Sequence, residues 1–365
     1  MQKVQLSESE KDLLTVLGKS PDISLKELVN RTKYKRVSSI VRKFEEFREE
    51  GILYGPIYDI DFGKLCKNPL RMLCCIVESS QASETVISFL RLIEPLVTVY
   101  PVLSPRKEFL NVLFLSSDTA EMRSLLQVLK DSNIITDYII HVQCYRMVID
   151  NPNFFGDTNP SLDHLLDPCS IPDLSFGNHD TNWTECDINV LPYLRRGYKG
   201  GKLIEILKAE RKLNKTWTYH QIKYSREKML KNGLIEKKYC LFPFSLDQCV
   251  DFNLFLKTED ENLTQRILYN FARGERVSRE YTLFDDWGYI GFGSHPQFLT
   301  GLMSKLDKIE EITGREIYQL RSIPDRKSIF NQPPVLNYFD FDKQTLEYPY
   351  RVYREKIREK IENED

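Results

Sequence analysis

Apolar positions recur with the period of a helix in the first fifty residues. Ser7-Glu8-Ser9-Glu10 precedes an apolar pattern from Leu13 to Leu17 and predicts a capped short helix. Ser24 opens a second helix, and a third runs from about Thr32 to Glu50 and stops at Gly51. Residues 52–61, with Gly55-Pro56 at the turn, predict a small hairpin. Three helices and a hairpin are typical of a winged helix-turn-helix.

The pattern then changes to short apolar strands that alternate with two helices in the order βαββαβ. This order predicts two helices on one face of a four-stranded antiparallel sheet, the ferredoxin-like sandwich. The predicted elements are, in order, 71–77, 84–93, 97–103, 109–115, 120–130 and 134–148.

The second half of the chain repeats this order of elements. Gly233-Leu234-Ile235 takes the place of Gly51-Ile52-Leu53, an offset of 182 residues. The predicted helices of the second copy are 187–194, 202–210 and 217–232, followed by a wing at 234–244. The second βαββαβ series is 250–256, 263–272, 277–284, 287–292, 297–308 and 316–323.

The predicted fold class is therefore α+β, with two winged helix-turn-helix domains and two ferredoxin-like βαββαβ domains in tandem. A stretch rich in proline and acidic residues reads as a linker between the copies, and an aromatic patch and a charged helix close the chain. The predicted limits are 1–66, 67–149, 150–186 (linker), 187–245, 246–330 and 331–365.

The formal net charge of −2 hides a strong asymmetry along the chain. Residues 150–186 carry a charge of −7, whereas residues 193–241 hold ten lysines and four arginines against four glutamates, a charge of +10. Such a dense cationic face has an electrostatic cost that a bound anion relieves. The second winged helix is therefore predicted to be the stronger binder of nucleic acid.

Composition and cysteine spacing narrow the class of protein. With 41% hydrophobic and 28% charged residues the chain is of ordinary globular composition, and its apolar runs are too short to cross a membrane. None of the eight cysteines forms a Cys-x-x-Cys pair, so they read as buried hydrophobes in a cytoplasmic protein. No metal, cofactor or membrane contact is expected.

The stretch from Phe44 to Asp61, with its helix end, Gly51-Ile52-Leu53 wing and closing aspartate, resembles the Lrp/AsnC family of bacterial and archaeal transcription regulators. The resemblance implies an archaeal, sequence-specific regulator of transcription that binds double-stranded DNA and forms a dimer. Because both copies lie in one chain, it also implies a covalent pseudo-dimer. The family's usual Gly-x-x-Asp-type turn is replaced by 104–108 and 285–288, so a small-molecule effector stays unidentified.

The resemblance puts the third helix of each copy in the major groove of DNA. In the first copy Arg36 could bond guanine, and Ser38 or Ser39 a base or a phosphate. The candidate DNA contacts of the first copy are Lys33, Tyr34, Lys35, Arg36, Ser38, Ser39, Arg42 and Lys43. Those of the second copy are Lys215, Trp217, Thr218, His220, Gln221, Lys223, Tyr224, Arg226, Lys237 and Lys238, with Gln221 suited to adenine. Arg195, Arg196 and Lys212 are further candidates for phosphate. Solvated helix faces, and a core position for Trp217, are the alternatives.

No catalytic spacing was found, so the chain is predicted not to be an enzyme. The glycine-rich stretch 288–293 alternates like a strand and is not expected to bind phosphate. Two alternatives stay open. Siroheme decarboxylases resemble the same architecture, and here only His141, Arg146, His295 and Arg106 could hold or protonate a tetrapyrrole. A non-catalytic interaction module with degenerate DNA heads is the other alternative.

Overall fold

A computed structural model of the chain describes residues 6–104, 107–158, 160–195, 201–244, 249–321 and 330–364. Within these ranges, Cα packing divides the chain into two compact units. Unit 1 takes its residues from 1–59, 147–174 and 236–326, and unit 2 from 60–146, 175–235 and 327–365. Each unit therefore combines segments from both halves of the sequence.

The first helical head lies in unit 1. Its helices are α1 (Glu8–Lys19), α2 (Leu25–Arg31) and α3 (Val37–Glu49). Reciprocal capping boxes start α1 and α2, in which a serine pairs with the glutamate three residues later. Gly51, at a φ of +71°, ends α3 in the left-handed conformation that favours glycine.

The second helical head lies in unit 2 and follows the first closely. Its helices are α7 (Glu185–Arg195), α8 (Leu203–Lys212) and α9 (Tyr219–Lys231). Both ends of α9 lie 182 residues after the ends of α3. Gly233 repeats the positive φ of Gly51, at +68°. The repeat read from the sequence is thus present in the helical heads.

An acid on the first helix of each head binds to its third helix. In the first head Glu10 accepts from Lys43 Nζ at 2.7 Å. In the second head Asp187 accepts from Ser225 Oγ and, at 2.7 Å, from Lys228 Nζ. Both acids are also the capping-box residues of their own helices. In both heads an acid therefore links the first helix to the third, but it binds different residues there.

The two predicted wing hairpins are not formed. Residues 53–60 make one continuous strand, β1 (Leu53–Ile60), which is followed by the short helix α4 (Phe62–Leu65). β1 forms a two-stranded sheet with β7 (Ile235–Leu241), the strand of the other predicted wing. The alternating burial along β1 is compatible with a single strand paired to β7 as well as with a hairpin. The Gly55-Pro56 pair alone does not distinguish the two.

The first ferredoxin-like sheet lies in unit 2. Its elements are β2 (Arg71–Ser79), α5 (Ser83–Leu90), β3 (Leu96–Val102), β4 (Glu108–Ser116), α6 (Thr119–Asp131) and β5 (Asp137–Val142). The strand order is β12-β3-β4-β2-β5, where β12 (Phe330–Asn331) comes from far along the chain. The α+β class is confirmed. The last strand of the sheet, β5, is shorter than the predicted range of 134–148.

The second ferredoxin-like sheet lies in unit 1. Its elements are β8 (Val250–Thr258), α10 (Glu261–Asn270), β9 (Ser278–Phe284), β10 (Trp287–Ser294), α11 (Pro296–Leu306) and β11 (Ile312–Gln319). The order is β11-β8-β10-β9-β6, where β6 (Val148–Asp150) follows the first sheet in sequence. Each sheet is therefore extended by a short strand that follows the other sheet along the chain.

The stretch 150–186 is not a free tether. Phe154 is buried in the core of the first head, and Trp183 is buried in unit 2, where its backbone N–H donates to Gln344 at 2.7 Å. Asp150 accepts from the buried guanidinium of Arg279, which also caps the carbonyl ends of α10. These residues are therefore packed within the described chain, although the stretch has no helix or strand period.

The end of the chain packs onto the first sheet's unit. After β13 (Phe339–Asp340) and β14 (Thr345–Leu346), α12 (Tyr350–Glu364) begins with a buried tyrosine. The Tyr350 hydroxyl accepts from the backbone N–H groups of Ser117 and Asp118 at the start of α6. In the described part of the chain, no helix has the length and apolarity needed to cross a bilayer.

Candidate functional site

Face 1 is the side of the first sheet on which Cys74 and His141 lie. Cys74 is paired with His141 of β5 on one side and with Leu113 of β4 on the other. Directly opposed residues of antiparallel strands point to the same side of a sheet. Tyr138, three residues before His141 on β5, points to the opposite side, where its hydroxyl donates to Arg123 O of α6, so Cys74 and His141 lie on the side of the sheet away from α6.

Face 1 buries four polar side chains, those of Cys74, Thr98, Asn111 and His141. Asn111 is 2% exposed and His141 4% exposed. The Cys74 thiol donates to Asn111 Oδ1 at 3.7 Å. Asn111 Nδ2 and Thr98 Oγ1 are buried and make no hydrogen bond within the described chain. Because buried polar atoms are nearly always paired, such atoms indicate a site for a polar ligand or water.

The thiol on face 1 is not set up as a nucleophile. Burial raises the pKa of Cys74 to about 12, so it stays protonated at neutral pH. It therefore acts as a donor to Asn111. His141 is left as the group on this face whose chemistry suits proton transfer near neutrality.

Charges on face 1 lie at one end of the sheet and are already paired. Glu78 accepts from Lys107, and this bond lowers the pKa of the Glu78 carboxyl. Asp137 accepts from Lys130 at 2.7 Å, which likewise lowers its pKa. Both of these carboxylates on face 1 therefore have a lysine partner.

Face 2 is the corresponding helix-free side of the second sheet, in unit 1. It carries a cluster of aromatic rings, in which Phe255 lies 5.3 Å from Tyr289 and 5.9 Å from Tyr318, centroid to centroid. The Tyr289 hydroxyl donates to Asn253 at 3.0 Å and lies over Gly291. A Cβ at Gly291 would come within 2.6 Å of that hydroxyl, which explains the glycine. The glycine-rich stretch is thus a strand, as predicted.

The residues that could hold or protonate a tetrapyrrole are divided between the units. His141 and Arg146 belong to unit 2, where Arg146 Nε donates to Ser175 O at 3.0 Å. His295 belongs to unit 1 and is exposed after β10. Arg106 lies outside the described residues. Of the three that the structure describes, His141 alone is part of a buried polar cluster.

The candidate DNA contacts of the first head lie at and before α3. Lys33, Lys35, Arg36, Ser38 and Arg42 are exposed, whereas Tyr34 and Ser39 are half-buried. Lys43 binds Glu10 at 2.7 Å and Glu46 at 2.5 Å, and these carboxylates raise its pKa. Arg42 also pairs with Glu46, at 3.5 Å. The acidic partners therefore offset the charges of Arg42 and Lys43.

The second head exposes more of its third helix. Tyr224 is 68% exposed, and Tyr219, His220 and Lys223 are exposed beside it. Gln221 Oε1 accepts from Thr218 in a capping box, which removes the acceptor that a bidentate adenine contact needs. Arg226 is half-buried.

Several of the predicted phosphate-binding cations are engaged in bonds within the protein. Lys215 pairs with Glu185 at 2.5 Å, and Lys238 with Asp59 at 3.3 Å. Trp217 is half-buried and donates to the buried Glu210 at 3.2 Å. Lys237 lies over the ring of Tyr239. Arg195 and Lys212 belong to the described chain, whereas Arg196 lies outside it.

Sequence reasoning missed Cys74, Thr98 and Asn111. A signal was present, because Asn111 is a lone amide inside the apolar run of β4. Among the described residues, no group of three histidine, cysteine or acidic side chains could hold a metal ion.

Comparison with solved structures gives two kinds of similarity. The chain is similar to the siroheme decarboxylase NirDL, with a TM-score of 0.50 and 12% identity over 98% of this chain and 99% of that one. A complex of NirDL with an iron-uroporphyrin III analogue has a TM-score of 0.49 and 11% identity, and the match covers 97% of this chain and 99% of that one. The leucine response regulatory protein LrpA of Mycobacterium tuberculosis covers 38% of this chain and 91% of its own, with a TM-score of 0.28 and 15% identity.

No protein-family model matches the sequence, and no curated protein matches it. The similarity to NirDL shows a shared fold over 98% of this chain, whereas LrpA matches 38% of it. The prediction that the chain is not an enzyme is contradicted, because a solved structure that shares its fold over 98% of this chain, at 12% identity, is that of an enzyme. That prediction rested on the absence of a recognisable catalytic spacing in the sequence.

Proposed function

We propose that this chain is an enzyme that removes carboxyl groups from a tetrapyrrole. The observation that carries the proposal is the correspondence of fold with a siroheme decarboxylase along nearly the full length of both chains. Face 1 supports it from the chain's own residues, because it combines a buried histidine with unpaired buried polar atoms.

His141 is the proton donor in this proposal. Decarboxylation breaks the C–C bond to a carboxylate, releases CO2 and leaves an electron pair on the remaining carbon. That carbon takes a proton, which the His141 imidazolium supplies before it is reprotonated by solvent. Face 1 around His141 holds a protonated thiol and apolar side chains, an environment that disfavours the charged carboxylate relative to neutral CO2.

The test is anaerobic incubation of the full chain with siroheme, followed by mass spectrometry of the tetrapyrrole. We expect the mass of one CO2 to be lost for each reacting carboxyl group. His141→Gln should lower the rate by at least about 100-fold, the usual contribution of a general acid. His164→Gln, at an exposed ring paired with Asp167, is the matched control. Absence of product with wild-type protein would refute the proposal.

Binding of double-stranded DNA by α9 is a second candidate function, supported by its exposed tyrosines, lysine and histidine. Fluorescence anisotropy with duplex DNA across a salt series tests it, because phosphate contacts give affinities that fall steeply with salt. Lys223→Glu should weaken binding, and Lys35→Glu in the first head is the comparison. Formation of a homodimer and binding of a small-molecule effector stay predictions.

A further inference from the structure

We propose that the second helical head binds a small organic ammonium ion, in a cavity that includes no residue of face 1. The volume of this cavity is about 520 Å3, within the range of about 300 to 1,000 Å3 that is usual for small-molecule sites. It lies within unit 2 and is formed by the second head together with residues from 332–341. We call it the second-head cavity, and its lining includes Ile188, Tyr193, Glu210, Leu213, Pro333 and Phe341.

A buried carboxylate lines the second-head cavity. Glu210 is 2% exposed, and it accepts from the Tyr193 hydroxyl at 2.9 Å and from the indole N–H of Trp217 at 3.2 Å. Both donors are neutral, so among the described residues this carboxylate forms no ion pair. A buried charge is costly unless a cation balances it, and each carboxylate oxygen can accept a further hydrogen bond. Glu210 can therefore bind a cation that enters the cavity.

The charges of the lining also favour a cation over an anion. Besides Glu210, the lining holds Glu185 and Lys215, which pair with each other at 2.5 Å. The bond to Glu185, and the more distant charge of Glu210, raise the pKa of Lys215. Among the described lining residues, two carboxylates and one lysine leave an excess of one negative charge.

Residues 332–334 line the second-head cavity without offering it a hydrogen-bond donor. The two prolines of this stretch have no backbone N–H. Gln332 donates its backbone N–H to Val97 O at 2.9 Å. Its side-chain amide donates to the carbonyl oxygens of Glu94 and Leu96, at 2.9 and 2.5 Å. An anion needs donors, whereas an ammonium ion supplies donors and needs acceptors, so this stretch too favours an ammonium group.

Apolar side chains of the lining indicate that the ligand carries more than an ammonium group. Leu213 is 62% exposed and Phe341 41% exposed, and both line the cavity together with Ile188 and Pro333. An apolar body packed on these side chains would remove their surface from water, which is favourable. An aromatic ring can in addition stack on Phe341. The expected ligand is therefore an ammonium group on an aromatic body.

Calorimetric titration of the full chain with phenethylamine, in phosphate buffer that contains no competing amine, tests the inference. The matched probe is 3-phenylpropionate, which has a similar size and carries a carboxylate in place of the ammonium group. We expect phenethylamine to bind at least about tenfold more tightly, because a hydrogen bond between charged groups contributes at least that factor.

Two substitutions change the charge of the lining in opposite directions. Glu210→Gln should weaken the binding of phenethylamine at least about tenfold. Its fold should persist, because glutamine can accept from Trp217 and donate to the Tyr193 hydroxyl, and circular dichroism checks this. Lys215→Gln should strengthen binding about threefold, because it removes the competing cation. Misfolding cannot produce such a gain.

Control variants lie outside the cavity lining. Lys208→Gln breaks a similar pair, with Glu205, and should leave the affinity for phenethylamine unchanged. Phe341→Ala should weaken binding about fivefold, because the apolar contact is lost. Phe155→Ala, at a comparably exposed phenylalanine of unit 1, should leave the affinity unchanged.

Several results would overturn the inference. They are no binding of phenethylamine, equal binding of 3-phenylpropionate, an unchanged affinity in a folded Glu210→Gln variant, and a loss of affinity in Lys215→Gln. None of them bears on face 1, because the inference goes beyond the proposed function and uses other residues. The enzymatic proposal is therefore decided separately, by the incubation with siroheme.

Discussion

Asp187 shows how much one buried carboxylate can stabilise. It caps α7 through Thr184 and binds Ser225 and Lys228 of α9, while only 2% of the residue is exposed. Glu10 has the same position in the first head, but its side chain is more exposed and binds one lysine across the helices. The packing of the first helix on the third therefore depends more on Asp187 in the second head than on Glu10 in the first.

We expect Asp187→Ala to destabilise unit 2 by about 3 kcal/mol, because the cap is lost and Lys228 loses a buried partner. Glu10→Ala should cost unit 1 about 1 kcal/mol. Urea unfolding, followed by hydrogen exchange in each head, measures both. Equal effects of the two substitutions would contradict the assignment.

Thiol reactivity should divide the cysteines sharply. Burial raises the pKa of Cys66 and of Cys74 to about 12, from an ordinary value of 9.0. Cys144 is exposed. At pH 8 in native buffer, Cys144 should be alkylated rapidly and Cys74 only on unfolding, as followed by mass spectrometry. Rapid labelling of Cys74 would show that face 1 is open to reagents.

The same burial makes stability depend on alkaline pH. Each thiol ionises near pH 9 in the unfolded chain and near 12 in the folded one, so the unfolded state loses its proton first. The contribution of Cys66 and Cys74 to stability is complete below pH 9 and declines between pH 9 and 12. Urea midpoints of Cys74→Ala should fall less steeply over that window than those of the wild type.

Among elements, the segment from β6 onward departs furthest from its sequence pattern. Proline, asparagine and aspartate predict a linker in 150–186, yet Phe154 lies in the core of the first head. The pattern was misleading because its buried residues are widely spaced and fit no single period. The hairpin predicted at 52–61 was wrong for a related reason. The partner of a strand is set by residues distant in sequence, which local propensity does not describe.

Two adjacent phenylalanines test the role of this segment. Phe154 is 1% exposed and Phe155 is 51% exposed. Phe154→Ala should cost unit 1 about 3 to 5 kcal/mol, because it leaves a cavity in the core. Phe155→Ala should cost less than about 1 kcal/mol. Thermal unfolding of both variants decides whether the segment is a part of the head or only a tether.

Local pattern predicted most of the repeated elements, including the 182-residue offset of α3 and α9. Capping residues and helical periodicity are local signals, and they were reliable. Face 1 was not predicted, because Thr98, Asn111 and His141 lie on three strands and meet only through register. His141 was named from its residue type, without its neighbours.

For the whole molecule, the assembly of each unit from both halves has a direct test. Fragments 1–174 and 175–365 each lack segments that complete either unit. We expect each fragment alone to lack cooperative unfolding, and an equimolar mixture to recover the circular dichroism of the intact chain. A fragment that folds alone would contradict the division into interleaved units.

The exchanged edge strands also constrain how the duplicated halves can change over time. β6 follows the first sheet in sequence but pairs with β9 of the second, and β12 follows the second sheet but pairs with β3 of the first. A substitution in β6 is therefore compensated in the opposite half of the gene. The halves are free to diverge elsewhere, but at these edges we expect substitutions to covary between the two halves.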